Sequence, residues 1–217
     1  MKKSELDAIE SFLRAPYGGE THRFLSSLQK GLEDCRLATN RNVSTGAKLS
    51  GGNHDSWVGA LGYLSILDLI GNCLTKEDSK NQVDDEFNPL VSALQTFSEL
   101  PQAEISAIYA LRCAFAHDFS LYNFHPRKPE LTHYFRLFPG IDGPVVQLPT
   151  VRWEGDYRNR PPERATAIGL TLLGDLVENI VLDLQELGRD EKLRIKLSGG
   201  AEELSDRYSV MQILEAS

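Results

Sequence analysis

Two side chains near the middle of the chain, Arg112 and His117, could carry proton and anion chemistry together. Both lie in Gln102 to Asn123, QAEISAIYALRCAFAHDFSLYN. An imidazole gives or takes a proton near neutral pH, and a guanidinium is a permanent cation suited to a phosphate. Asp118, Ser120, Tyr122 and Asn123 follow directly and supply auxiliary polar groups within reach of such an anion.

The segment that must position them reads as an amphipathic helix. Ile105, Ile108, Tyr109, Phe115, Ala116 and Phe119 recur at helical spacing, and Arg112 falls at the centre of their stripe. A guanidinium in that position needs an anion or an interface. Ala110, Cys113 and Ala114 form a small-residue face that admits a second helix closely. Five residues turn an ideal helix by about 140°, so Arg112 and His117 diverge on one straight helix. A distorted helix end, or a site shared between two subunits, would bring them together.

Arg112-Cys113-Ala114-Phe115-Ala116-His117, an arginine and a histidine separated by four residues near the end of an apolar helix, resembles the signature of the HEPN (higher eukaryotes and prokaryotes nucleotide-binding) superfamily. That family usually has Asn, Asp or His after the arginine, where this chain has Cys113. The resemblance implies a mainly α fold, a homodimer, and a metal-independent endoribonuclease, toxin-like or antiviral, with a cognate antitoxin as protein partner. It also implies that Arg112 and His117 are catalytic. One group deprotonates the 2′-hydroxyl, one protonates the leaving 5′-oxygen, and positive charge stabilises the crowded phosphate. The alternative is a non-catalytic interaction or nucleotide-binding module of the same fold, in which Arg112 pairs with Asp68 to hold the core.

Trp153-Glu154-Gly155-Asp156-Tyr157-Arg158-Asn159-Arg160 interleaves aromatics with arginines, as RNA-stacking loops do. Trp153, Tyr157, Arg158 and Arg160 are therefore the RNA-contact candidates, against a reading as ordinary surface. No metal or other cofactor is expected. His117, His125 and His133 recur at eight-residue intervals but lack a close pair on one helix. Lys48 is not framed as a phosphate loop, and no Gly-x-Ser-x-Gly elbow is present.

The net charge of −8 argues against a general nucleic-acid binder. The charge is uneven, however: residues 110–170 hold eight Lys or Arg and six Asp or Glu, a local balance of +2, which leaves −10 for the remainder. Cys35, Cys73 and Cys113 are odd in number and sit in apolar patterns, as reduced thiols of a cytoplasmic protein would. The apolar run Trp57 to Leu74 contains Asp68 and three glycines, which suits a buried helix better than a membrane span.

Periodicity predicts a single domain, 1–217, built as a helical bundle with an inserted β-hairpin and a C-terminal helix plus tail. Residues 1–124 would form the helical core, with Phe24 to Cys35 as its second helix and Trp57 to Cys73 as its central one. The polar stretch Thr39 to Ser56 reads as a surface loop able to cover a site, and Thr75 to Glu86 as a solvated linker. Residues 125–160 would form the insertion, pairing Leu131 to Phe138 with Val145 to Trp153 across the turn composition Pro139 to Pro144. Residues 161–217 would form a long helix opened by Pro161-Pro162, with Ile168, Leu172, Leu173, Leu176, Ile180 and Leu184 inward, and then a tail. In that tail, Leu193 to Leu197 suit a strand and Glu202 to Leu214 a short helix.

Overall fold

The computed structural model describes residues 3–19, 22–79, 88–140 and 142–213. Most of the linker, Ile141 in the expected turn, and Leu214 lie outside them. The expected helices near the centre form where their caps place them. The first helix is α1 (Lys3–Leu13), followed by strands β1 (Tyr17–Gly18) and β2 (His22–Ser26), then α2 (Ser27–Ala38) and α3 (Trp57–Cys73). Ser26 and Ser56 cap α2 and α3 by accepting the Gln29 and Gly59 amides. Strand β3 (Leu74–Lys76) leads to α4 (Pro89–Phe97), where Asn88 accepts the Val91 amide ahead of the proline, and then to α5 (Gln102–Asp118).

Helix α3 is apolar almost all round because it is central: Tyr63, Leu64, Leu67 and Ile70 are buried, and α2, α4 and α6 (Leu170–Arg189) pack on it. Gly62 takes the Cys35 thiol, and a Cβ on Gly71 would overlap the Pro89 carbonyl, so these glycines set the close approach of α2 and α4. Among the described residues, no helix is long and apolar enough to cross a membrane.

A mainly α bundle is not what the rest of the chain builds. The fold is an α/β mix, about 50% helical and 17% strand. After α5 come β4 (Tyr122–Asn123), β5 (His133–Phe138), β6 (Val146–Gln147) and β7 (Thr166–Gly169), joined in the order β4-β5-β7-β6. The expected hairpin does not form. Strand β7 lies between the two segments, parallel to β5 with Leu137 opposite Ile168, and antiparallel to β6 with Val146 opposite Ile168. Thr166 and Ile168 are fully buried there, so Thr166 to Gly169 gains more as a central strand than as the first turn of a helix. The prolines at 161 and 162 accordingly lead into a short 3₁₀ turn, and α6 opens only at Leu170.

Two smaller sheets involve the ends of the chain. Strand β8 (Leu193–Ile195) pairs with β3. After α7 (Gly200–Tyr208) the expected helix gives way to β9 (Ser209–Ile213), which pairs with β2 in a sheet of order β1-β2-β9. Phe24 and Leu25, expected at the start of the second helix, therefore belong to a strand.

The stretch Thr39 to Ser56 is fastened rather than loose. Arg36 of α2 forms a two-pronged pair with Glu178 of α6 at 2.9 and 2.7 Å and donates to the Val43 carbonyl. Tyr63 of α3 donates to the same carboxylate at 2.9 Å, and burial beside Glu178 pushes its phenol up. Arg41, with a side chain only 3% exposed, pairs with Asp175 and donates to the Thr171 and Gly46 carbonyls. Lys48 reaches the other oxygen of Asp175 at 2.9 Å. Arg36→Met leaves the Glu178 charge buried without its cation, which is expected to cost about 3–5 kcal/mol in denaturant unfolding. Arg36→Met with Glu178→Leu is expected to recover most of that loss.

His133 joins the sheet to the turn before it. Its Nε2–H donates to the Glu130 carbonyl at 2.9 Å, and Nδ1 accepts from the Thr166 hydroxyl at 2.8 Å, the neutral tautomer that satisfies both partners. Burial holds its pKa below the ordinary 6.5. Its contribution to stability is thus complete above the unfolded value and is lost as pH falls from there through the lower folded value. Urea midpoints taken at about pH 7.5 and about pH 5 are expected to fall further for the wild type than for His133→Gln.

Candidate functional site

Helix α5 starts after Pro101 and stops at Phe119, whose amide donates to the Phe115 carbonyl and whose left-handed backbone (φ 48°) turns the Ser120 amide onto the Ala114 carbonyl. The small-residue face is turned mostly inward, with Cys113 half-buried at its edge. Ala107, Ala110 and Ala114 are buried, and α5 packs on α4, β5 and β6 of its own chain. Arg112 lies at the border of that face, half-buried, and its Nε donates to Asp68 of α3 at 2.8 Å. Burial opposes the guanidinium's charge, but the hydrogen bond and charge of Asp68 more than offset it and raise its pKa. Among the described residues no further hydrogen bond is made by the Arg112 guanidinium.

His117 and Asp118 are exposed on the last turn of α5. Arg112 is engaged by α3, and the two proposed catalytic side chains are not hydrogen-bonded to each other within the protomer. The auxiliary groups divide. The Ser120 hydroxyl accepts the Tyr122 amide at 3.0 Å, and the Asn123 side chain donates to the Leu131 carbonyl at 2.6 Å, so both brace the chain leaving the helix. Tyr122 instead enters an aromatic cluster. His125 accepts the amides of Arg127 and Lys128, and with His133 committed on both nitrogens the three spaced histidines do not converge.

That cluster is where the structure gathers what the sequence had scattered. Register in the sheet sets Tyr122 opposite Tyr134, with rings stacked at 5.9 Å and 21°. Tyr157 meets Tyr122 at 5.3 Å, and Trp153 stands edge-on to Tyr157 at 5.3 Å. Trp153 itself is 1% exposed, its Nε1–H donated to the Asp156 carbonyl, so it props the tyrosines from below and is not a surface contact. Tyr157 is 53% exposed. Arg160 donates to the Tyr122 hydroxyl at 2.5 Å and lies over its ring at 5.8 Å.

The loop carrying these groups is folded locally. Asp156 accepts the Arg158 amide at 2.9 Å, and Gly155, in a left-handed conformation (φ 91°), turns the chain against the Phe124 ring, where a Cβ would collide. Arg152, Arg158 and Arg160 are exposed in or beside this loop, and so are its acids Glu154 and Asp156. Tyr134 was absent from the sequence-derived candidates. Its signal was its place in a strand running back past Tyr122, which only the pairing register reveals.

Such a surface can stack planar rings and hold anions. Compared with known proteins, the chain matches no family model, no curated protein and no solved structure.

Proposed function

We propose that this protein binds single-stranded RNA, with bases stacking on Tyr122, Tyr134 and Tyr157 and phosphates held by Arg158 and Arg160. The observation that carries this reading is the convergence of three tyrosine rings, braced by a buried tryptophan, with an arginine laid across them. Base stacking on an aromatic side chain contributes about 1–3 kcal/mol per base. The cluster lies in the segment 110–170, whose +2 balance lessens the repulsion that an acidic chain otherwise offers to phosphate.

A second reading adds cleavage. His117 is exposed on the last turn of α5, five residues before Tyr122 in the chain, which favours a proton-transfer group beside the stacked strand. In this reading Arg112 and His117 act as a HEPN-type pair in a metal-independent endoribonuclease. Arg112 uses its terminal nitrogens on phosphate while Asp68 holds Nε, and a homodimer supplies the two groups from different protomers.

Fluorescence anisotropy with a labelled, unstructured RNA oligonucleotide tests the binding. Tyr157→Ala is expected to weaken it by about 5- to 150-fold, and Arg158→Ala with Arg160→Ala to flatten its dependence on salt. Unchanged affinity in Tyr157→Ala contradicts the proposal. In the same samples with chelator present, cleavage lost in His117→Ala and in Arg112→Ala supports the second reading. Intact RNA with the wild type removes it and leaves a binding module.

A further inference from the structure

The outer face of the four-stranded sheet continues past the tyrosines. Side chains alternate along a strand, so on β5 Tyr134, Arg136 and Phe138 lie on one face and His133, Phe135 and Leu137 on the other. The second set faces the core: Phe135 is buried, and Leu137 stands opposite the buried Ile168. Arg136 therefore shares the outer face with Tyr134 and Tyr122. The register sets Ala167 of β7 opposite Arg136, and Gln147 of β6 opposite Ala167.

Ala167 is too short to fill the space between its longer neighbours. A cavity of about 460 Å³ opens there, lined among others by Arg136, Ala167, Gln147, Leu148, Pro149 and Glu163, a size that suits a small planar ligand. The linker joins it to the tyrosine cluster a second time, since Arg160 lies over the Tyr122 ring and Glu163, three residues on, reaches the cavity. Arg136 and Glu163 are both exposed, and among the described residues neither side chain takes part in an ion pair or a hydrogen bond. One cavity thus holds a donor-only fork and an acceptor-only carboxylate, both free for a ligand.

We propose that this cavity takes a guanine base of the bound RNA strand. The inference rests on the RNA reading and adds base selectivity to it. Guanine carries two donor groups side by side, N1–H and the 2-amino group, next to two acceptors, O6 and N7. In adenine, cytosine and uracil no two donor groups are adjacent. Glu163 takes the donor pair with its two oxygens, and Arg136 donates to O6 and N7, while Leu148 and Pro149 give the ring an apolar wall. The two opposite charges balance within the cavity and a base is neutral, so the net charge of −8 does not oppose its entry. The phosphates stay with Arg158 and Arg160.

Fluorescence anisotropy of the full-length protein with a labelled oligouridylate, and with the same strand carrying one guanosine or one inosine, tests the assignment. The wild type is expected to bind the guanosine strand about 5- to 150-fold more tightly than the oligouridylate. Inosine lacks the 2-amino group and is expected to forfeit part of that gain. In Glu163→Ala the guanosine and inosine strands are expected to bind alike, and in Arg136→Ala the guanosine gain is expected to be lost. Both variants are expected to hold the oligouridylate as the wild type does, which also checks their folding. No gain from guanosine in a wild type that binds oligouridylate overturns the guanine site and leaves the RNA reading standing. A guanosine gain that survives in both variants, or one that inosine retains in full, overturns it as well. Binding of neither strand removes the RNA reading itself and the guanine site with it.

Discussion

Glu178, a carboxylate in the middle of α6, takes both prongs of the Arg36 guanidinium and the hydroxyl of Tyr63, so one side chain ties α6 to α2 and α3 at once. Removing a charge of this kind from water is expensive, and only complete pairing makes it tolerable. The pairing here extends to the loop after α2. The Val43 carbonyl takes the remaining prong of Arg36, Gly46 sits against the Glu178 carboxylate where a Cβ would collide, and Arg41 and Lys48 share Asp175 one turn away on α6. A segment that reads as a mobile cover is thereby part of the scaffold. The thiol of Cys35, buried beside this carboxylate, is pushed up to about 12 and is chemically quiet.

A fixed α6 also fixes the sheet in front of it. Strand β7 runs straight into α6, and β5 and β6 pair on either side of β7, so the helix start and the sheet centre are one continuous piece of chain. Tyr134 is carried by β5, and Tyr122 by the strand paired to it. The loop from Trp153 to Arg160 falls between β6 and β7 and is pinned by the tryptophan beneath it. The aromatic surface is thus held by backbone pairing and a buried indole. That is preorganisation of the sort that lowers the entropic cost of binding a flexible strand.

Local signals were legible in the sequence, and long-range ones were not. Ser56 and Asn88 cap α3 and α4 from their side chains and Pro101 precedes α5, start signals that lie within a few residues of the helix they open. The hairpin failed as an expectation because Thr166 to Gly169 continues the apolar pattern of α6, and nothing within the segment shows that its partner lies some thirty residues upstream. Phe24 and Leu25 were absorbed into the next helix for the same reason, their partner β9 lying at the far end of the chain. Arg36 and Glu178 are 142 residues apart, and no pattern links them. At the candidate site, composition marked the loop 153–160 as one that mixes aromatics with arginines. It could not show that Trp153 faces inward while Tyr122 and Tyr134 complete the cluster.

The pairing of Arg112 with Asp68 within one protomer moves the weight of the functional argument from α5 to the tyrosines. A half-buried ion pair explains an arginine in an apolar stripe without requiring a substrate. The stacked rings beside Arg160 have no comparable need to be where they are, since Tyr157 is half exposed and contributes little to the core. Photocrosslinking of a 4-thiouridine-containing single-stranded RNA to the full-length protein, with the adducts located by peptide mass spectrometry, addresses this most directly. The account predicts adducts on Tyr122, Tyr134 or Tyr157; adducts confined to the outer face of α5, or none at saturating RNA, would contradict it.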